Sequence, residues 1–242
     1  MLGKTRGVIL QTVKYGDHSL IVTLYTLEYG RQSYILNAAR GTRKGNKTAI
    51  MQPLFILEAD VYLKKSREIQ RIKECRLVNP YVSIPFDIRK STQLLFLTEI
   101  LFRILQEEES NPGLYQFIEH SLLFFDLMEE GVSLFHIWFL VRLTEYLGIY
   151  PGVEIGSEGW FDMRKGVTVA REPLHPASMN PETTEFLKMI LSLSINQLHT
   201  IRVSSTQRNL LLDKIVEYLH LHFDNLGNLK SWPVLKEVFK VG

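Results

Sequence analysis

Residues 54–64 read LFILEADVYLK, and every second side chain from Phe55 to Leu63 is apolar. This period of two places the apolar side chains on one face of a β-strand. Four more stretches rich in β-branched and aromatic residues are bounded by turn signals: residues 7–14, 19–26, 31–36 and 69–78. Five short strands in the first 80 residues predict a small barrel, for which we favour the five-stranded OB-fold.

The apolar period changes at Pro80 from that of a strand to that of a helix. Apolar stripes predict helices at residues 94–105, 114–125 (after an Asn111-Pro112 cap), 134–147 and 211–223, with a short one at 232–239. The Gly- and Pro-rich residues 149–180 contain a predicted hairpin, in which 159–163 pairs with 166–169. The chain is therefore predicted to be α+β, with an OB-fold barrel domain (1–80) and an all-α helical domain (81–242) that carries this insertion.

The two predicted domains differ in charge. Residues 1–80 contain 14 Lys and Arg against 6 Asp and Glu, a net charge of +8, whereas residues 81–242 contain 14 against 20, a net charge of −6. Phosphate backbones attract lysine and arginine without regard to base sequence. The barrel is therefore the half expected to bind nucleic acid, and the helical half is expected to bind a different class of partner.

The densest group of cations lies in residues 40–47, which read RGTRKGNK. Tyrosines interleave with cations along the predicted strands, as they do in grooves where bases stack on aromatic rings while lysine and arginine hold the backbone. We predict that the DNA-binding residues are Lys4, Arg6, Lys14, Tyr15, Arg31, Tyr34, Arg40, Arg43, Lys44, Lys47, Lys64 and Lys65.

The sequence carries no catalytic constellation and no metal-ligand spacing. Cys75 is its one cysteine, which excludes an intramolecular disulfide and a cysteine zinc cage. His220 and His222 are two residues apart, whereas a helical metal pair needs a spacing of four. The opening has no signal-peptide pattern, and charges interrupt the apolar residues 134–147. We expect a cytoplasmic protein that is not an enzyme, holds no cofactor and does not bind membranes.

These stretches together resemble the RecO family of bacterial recombination mediators. The specific matches are N-terminal: KTRGVIL (4–10), YGD (15–17), LIVTLYT (20–26), Gly30-Arg31, AARG (38–41), QPL (52–54) and LEADVY (57–62). The C-terminal half is similar in layout, with helices, YLGIYP (146–151), a Gly-rich insertion containing Phe161-Asp162, and two more helices. The resemblance covers essentially the whole chain.

The resemblance implies a DNA repair protein that binds single- and double-stranded DNA and anneals complementary strands. It also implies a role in the RecF pathway, in which RecA is helped to replace the single-stranded-DNA-binding protein. The implied partners are RecR and the acidic C-terminal tail of that single-strand-binding protein. Such a tail needs an apolar pocket rimmed by cations. Candidate rim residues are Arg142, Lys188, Arg202 and Arg208.

Many members of the family hold a zinc ion with four cysteines in the insertion between helices. This chain has no cysteine in residues 149–180. We therefore predict that it binds no zinc, and that packing of the hairpin replaces the metal.

Two other functions are open on the residues alone. One is an RNA-binding OB-fold protein associated with translation, because the phosphates of RNA and DNA attract the same cations. The other is a phosphate-handling enzyme, since Gly41, Gly45, Lys47 and Thr48 resemble a phosphate-binding loop. Asn46 breaks the spacing of that motif, and Pro53 and a strand follow where a helix N-terminus is required.

Overall fold

A computed structural model describes residues 1–37, 49–64, 66–153 and 158–239. The chain divides into two compact units, Met1–Leu127 and Met128–Gly242. The first contains a barrel and two helices, α1 (Ile88–Ile104) and α2 (Pro112–Leu127). The second contains a small sheet and the helices α3 (Phe135–Tyr146), α4 (Pro181–Ser192), α5 (Ser205–His222) and α6 (Ser231–Val238), with short 3-10 helices at Val132–Leu134, Ile195–Thr200 and Asp224–Leu226. Helices α1 and α2 thus pack with the barrel, and the functional boundary expected at residue 80 stays a prediction.

Five strands form the barrel: β1 (Leu2–Tyr15), β2 (Ser19–Thr26), β3 (Gly30–Asn37), β4 (Ile56–Tyr62) and β5 (Ile69–Leu77). They close in the order β1-β2-β3-β5-β4, and all pairs are antiparallel except β3 with β5. This five-stranded mixed barrel is of the OB type and, with the helical region, confirms the predicted α+β class.

The alternation in residues 54–64 is confirmed by the barrel core. Leu57, Ala59 and Val61 lie in that core, and Phe55 and Leu63 pack against it. The strand begins later than predicted because Pro53 and Leu54 form a turn, closed by the Phe55 N–H donating to the Gln52 carbonyl at 3.2 Å. Leu54 has a φ of 55°, the one positive value at a non-glycine residue in the described chain.

A buried polar network fixes the segment that leads from the barrel into the helices. The carboxylate of Asp126, near the end of α2, accepts hydrogen bonds from the backbone N–H groups of Val82, Ser83 and Ile84 at 2.8–2.9 Å. Burial by itself would raise the pKa of Asp126, but these donors outweigh it and lower the pKa below its ordinary value. The buried Lys90 donates to the Ser83 Oγ and to the Asp126 carbonyl. These contacts join the start of α1 to the end of α2.

The predicted hairpin in the second unit is confirmed. Strand β6 (Trp160–Asp162) pairs antiparallel with β7 (Val167–Val169), and β8 (Ser178–Met179) adds a third strand on the other side of β6. The buried Asp162 carboxylate accepts from the N–H groups of Arg164 and Lys165 in the turn, and His175 Nε2 lies 3.3 Å away. Burial opposes ionisation of Asp162, but the two N–H donors and the nearby His175 and Lys165 lower its pKa.

The described residues include neither a cluster of metal ligands nor a helix that could span a membrane. Within the described residues, no three His, Cys, Asp or Glu side chains lie close enough together to hold a metal ion. The helices in the same part of the chain include none that is long and apolar enough to cross a membrane. The predicted lack of zinc stays a prediction, and metal analysis of the purified chain, expected to find less than one zinc per chain, tests it.

Candidate nucleic-acid interface

A row of paired residues crosses the outer surface of the barrel. The strand register aligns Val13 with Ile21, Ile21 with Ile35, Ile35 with Arg71, Arg71 with Tyr62, and Tyr62 with Leu2. Directly paired residues project on the same side of a sheet. Their chain neighbours Leu20, Val22, Tyr34, Leu36, Val61 and Ile72 face the core, so this row, which we call the outer row, faces outwards. Barrels of this topology bind their ligands across strands 2 and 3, between the β1–β2 and β4–β5 loops, and the outer row follows that path.

A groove lies beside the outer row. Strands β3 and β5 pair over three residues each, Ser33–Ile35 with Ile69–Arg71, and the groove is lined by residues at and just beyond the end of this pairing. It has a volume of about 350 Å³ and is lined by Leu36, Asn37, Tyr62, Arg71, Ile72 and Lys73. Leu36 and Ile72 are buried and face the barrel core, whereas Tyr62, Arg71 and Lys73 are exposed. None of the described lining residues is acidic.

Exposed cations surround the outer row. Lys14 follows Val13 on β1, Lys64 and Arg67 lie in the β4–β5 loop, and Arg71 and Lys73 lie on β5. None of these five makes an ion pair with another described residue. The two loops also carry Asp17 and Glu68, so the surface is positive in balance.

The structure places three of the predicted DNA-binding residues elsewhere. The Arg6 guanidinium lies 2.8 Å from the Glu119 carboxylate of α2, which is itself buried. The Arg31 guanidinium donates to the carbonyls of Phe102 and Leu105 at 2.6 and 2.9 Å and stacks on the Phe102 ring at 4.5 Å. Tyr34 is 0% exposed and lies inside the barrel core, where a base cannot stack on its ring.

A fourth predicted residue, Lys4, lies among mixed charges. It is paired in register with Asp60, and a shallow pocket there is lined by Lys4, Glu58, Ala59, Asp60, Glu74, Cys75 and Arg76. Arg76 forms an ion pair with Glu58. The charges on this face nearly cancel, so it attracts a phosphate backbone less than the outer row does.

Sequence comparison supplies the family. The family model described as "Recombination protein O N terminal" matches residues 1–81, and "Recombination protein O C terminal" matches residues 85–233. A protein named DNA repair protein RecO from Phocaeicola vulgatus is 36% identical over 240 residues, covering 99% of this chain and 100% of the relative. Proteins of the same name from Bacteroides fragilis and Flavobacterium psychrophilum are 35% and 34% identical over 241 and 238 residues, covering 99% and 98% of this chain and 100% and 98% of those relatives.

The chain belongs to the RecO family. It is a DNA repair and recombination protein, not an enzyme, and membership of the family implies DNA binding. The resemblance read from residues 4–62 is thereby confirmed. The two alternative functions, RNA binding in translation and phosphate-handling catalysis, are set aside on the same ground.

Five predicted DNA-binding residues of this RecO family member lie outside the described residues: Arg40, Arg43, Lys44, Lys47 and Lys65. Lys14, Tyr15 and Lys64 are described and exposed. Tyr15 is paired with Ser19, which is paired with Asn37 of the groove. Tyr15 therefore lies on the same side of the barrel as the outer row, whereas Lys14 is paired with the core residue Leu20 and projects from the other side of β1.

The four predicted partner-binding cations of the helical region differ in availability. Arg208 is buried, donates to the Phe239 carbonyl at 2.9 Å and stacks on the Phe239 ring. Lys188 is buried and pairs with Glu185 at 2.7 Å. Arg142 is half-buried, and its guanidinium donates to the Leu193 carbonyl at 3.3 Å. Arg202 is exposed.

Sequence reasoning missed Lys73, and it left Arg71 and Tyr62 out of the predicted DNA-binding residues although both belong to the basic and aromatic residues of the barrel half. The signal that reveals Arg71 and Tyr62 is the register, because the parallel pairing of β3 with β5 aligns Ile35 with Arg71 and the antiparallel pairing of β4 with β5 aligns Arg71 with Tyr62. The pairing of β3 with β5 joins residues far apart in the sequence, so local alternation carries no trace of it.

Proposed function

We propose that this RecO family member binds single- and double-stranded DNA through the outer row and the cations around it. In the same proposal it anneals complementary strands and assists the loading of RecA onto DNA covered by single-strand-binding protein, as part of the RecF pathway. Annealing requires two polyanions to approach each other, and a surface with many cations lowers their repulsion.

One observation carries the proposal. The exposed cations Lys64, Arg67, Arg71 and Lys73 lie on β5 and in the β4–β5 loop beside the outer row, and they have no carboxylate partner among the described residues. Cations whose guanidinium groups are already bound within the fold, such as Arg6 to a carboxylate and Arg31 to backbone carbonyls, contribute less to phosphate binding because these groups are not available to a ligand. The interface that we propose therefore keeps Tyr15 and Lys64 from the sequence prediction, with Lys65 and the loop residues Arg40, Arg43, Lys44 and Lys47.

The proposed protein partners are RecR and the acidic tail of the single-strand-binding protein, and the proposed location is the cytoplasm. Family membership supports them. Of the four candidate rim cations, Arg202 fits a tail-binding role best, because the side chains of Arg142, Lys188 and Arg208 are engaged within the second unit.

Salt-titrated binding of the full chain to an oligonucleotide tests the DNA interface. If about six phosphates are neutralised, affinity falls roughly a thousandfold between 50 and 200 mM salt. Replacing Lys64, Arg67 and Lys73 together by Ala is expected to weaken binding and to reduce the slope of log affinity against log salt by about two on single strands. Replacing Arg40, Arg43, Lys44 and Lys47 together by Ala is expected to act in the same direction.

The matched control replaces Arg164, Arg171 and Arg202 by Ala, which also removes three exposed cations, but from the second unit. This control is expected to keep the slope and the annealing rate of the wild type. Equal losses in both triple variants would show that net charge, and not this side of the barrel, attracts DNA.

A further inference from the structure

The outer row contains more apolar surface than phosphate binding needs. Leu2, Val13 and Tyr62 are 52%, 47% and 43% exposed, and Ile21 and Ile35 are half-buried. Contacts to phosphates require donors and positive charge, whereas contacts to the faces of bases require flat or apolar side chains. This row therefore has a composition that suits bases.

The charges around the row indicate which part of the ligand lies where. Arg71 stands within the row, Lys73 at the wall of the groove, and Lys64 and Arg67 at the end of the row beyond Tyr62. On β4 the next outward residue after Tyr62 is Asp60, which is paired with Glu74. A phosphate backbone is repelled by these carboxylates and attracted by the lysines and arginines, so the backbone is confined to the basic edge and the bases to the apolar row.

The groove supplies a place for one base. Its volume of about 350 Å³ lies within the usual range of ligand pockets, about 300–1,000 Å³. Its walls include the exposed Tyr62 ring and the Asn37 amide. An exposed aromatic ring stacks with any base, and an amide both donates and accepts hydrogen bonds.

We infer that the outer row and its groove form a base-binding platform for single-stranded DNA, with Tyr62 as the stacking residue. This inference rests on the proposed function and makes it more specific. A strand bound in this way turns some of its bases towards the barrel, between the β1–β2 and β4–β5 loops. Paired bases in a duplex are stacked on each other and cannot enter the groove, so duplex DNA contacts only the surrounding cations.

The test compares two strands of equal charge, a thymidine oligonucleotide of about 12 nucleotides and an abasic strand with the same number of phosphates. The full chain is expected to bind the thymidine strand about tenfold more tightly, which is the size of one base–aromatic stack. Tyr62→Leu is expected to remove that difference, to keep the salt slope, and to leave duplex affinity within about twofold.

The matched control is Tyr150→Leu, because Tyr150 is 44% exposed and lies in the second unit. It is expected to behave as the wild type on all three ligands. Equal affinity of the wild type for the thymidine and abasic strands would overturn the platform while leaving DNA binding intact. An equal loss on duplex and single strand in Tyr62→Leu would also overturn it, by showing that Tyr62 only supports the fold. If the wild type binds neither strand nor duplex, the proposed function itself fails.

Discussion

Two sides of the barrel look alike in sequence and differ in structure. Both carry arginines and tyrosines that alternate with apolar residues. On the side that contacts α1 and α2, Arg6 and Arg31 are bound to a carboxylate and to backbone carbonyls. On the open side, Arg71 and Tyr62 are exposed in the outer row. A basic residue in a strand can therefore join a helix to the barrel or attract DNA, and only its partner distinguishes the two.

The difference has an energetic basis. A guanidinium that leaves water must have its hydrogen bonds replaced, and burial lowers the pKa of Arg31 although nearby Glu108 partly offsets this. Because two carbonyls and an aromatic ring hold Arg31, the group contributes to stability and is not available to a phosphate. Exposed cations contribute little to stability and keep their charge for a ligand.

The largest effect that separates the two sides is expected from Arg31→Ala. It removes the Arg31 donor from the Leu105 carbonyl and from the Phe102 carbonyl, which keeps Gln106 Nε2 as a donor, and it removes the stacking on Phe102, at a cost of about 3 kcal/mol in the free energy of unfolding. Arg71→Ala is the matched variant on the open side and is expected to change stability by less than about 0.5 kcal/mol. Urea unfolding of both variants measures the difference.

The DNA affinities of the same two variants are expected to show the reverse order. Arg71→Ala weakens binding, and Arg31→Ala keeps wild-type affinity under conditions where it is folded. Arg31→Lys retains the charge but not the planar fork, so it is expected to remain destabilised. Weak DNA binding in Arg31→Ala that is restored in Arg31→Lys would instead place Arg31 in the DNA interface.

A smaller effect, in the pH dependence of stability, is expected from the Arg6–Glu119 ion pair. Burial raises the pKa of Glu119, more than Arg6 and His120 lower it. A carboxyl whose folded pKa exceeds its unfolded value, about 4.3, binds protons better in the folded state. Its contribution to stability is therefore fully present below about pH 4.3 and is lost as the pH rises through the folded value.

Glu119→Gln cannot ionise at this position, so its free energy of unfolding is expected not to fall with rising pH in the way that Glu119 causes in the wild type. Urea unfolding at several pH values measures the free energy of unfolding of wild type and variant. If the variant is less stable than the wild type at low pH, the two free energies are expected to converge as the pH rises above about 4.3. If the variant is more stable at low pH, they are expected to diverge. A constant difference across this range would mean that the pKa of Glu119 is the same in the folded and unfolded states, so that the pair with Arg6 fully offsets the effect of burial.

Most of the fold could be predicted from the sequence because its strands and helices show local periods of apolar residues. Strand β2 was predicted with its observed bounds, and the predicted Asn111-Pro112 cap of α2 is formed by the Asn111 side chain accepting from the Leu114 N–H. The start of β4 was placed too early because a leucine with positive φ after a proline gives no local warning. The partners of Arg6 and Arg31 could not be predicted, because Glu119 and Phe102 contact the barrel only through tertiary packing. Alternation did place Tyr34 in a strand, but it did not reveal that the ring points inwards.

Tyr34 supplies the smallest and most direct test of the comparison. Its side chain is fully buried, and its hydroxyl has no hydrogen-bond partner among the described residues. Burial is the main cause that raises its pKa, and the nearby Tyr29 and Glu28 add to it, so the phenol stays neutral at any ordinary pH. Removing a buried hydroxyl without a partner costs nothing in hydrogen bonding.

Tyr34→Phe is therefore expected to leave the free energy of unfolding unchanged or to raise it by about 1 kcal/mol. Its affinity for single-stranded DNA is expected to equal that of the wild type, in contrast to Tyr62→Leu. A tenfold loss of affinity in a stably folded Tyr34→Phe would show that the barrel opens to expose its core to DNA, and the division between an engaged and an open side would not hold for bound protein.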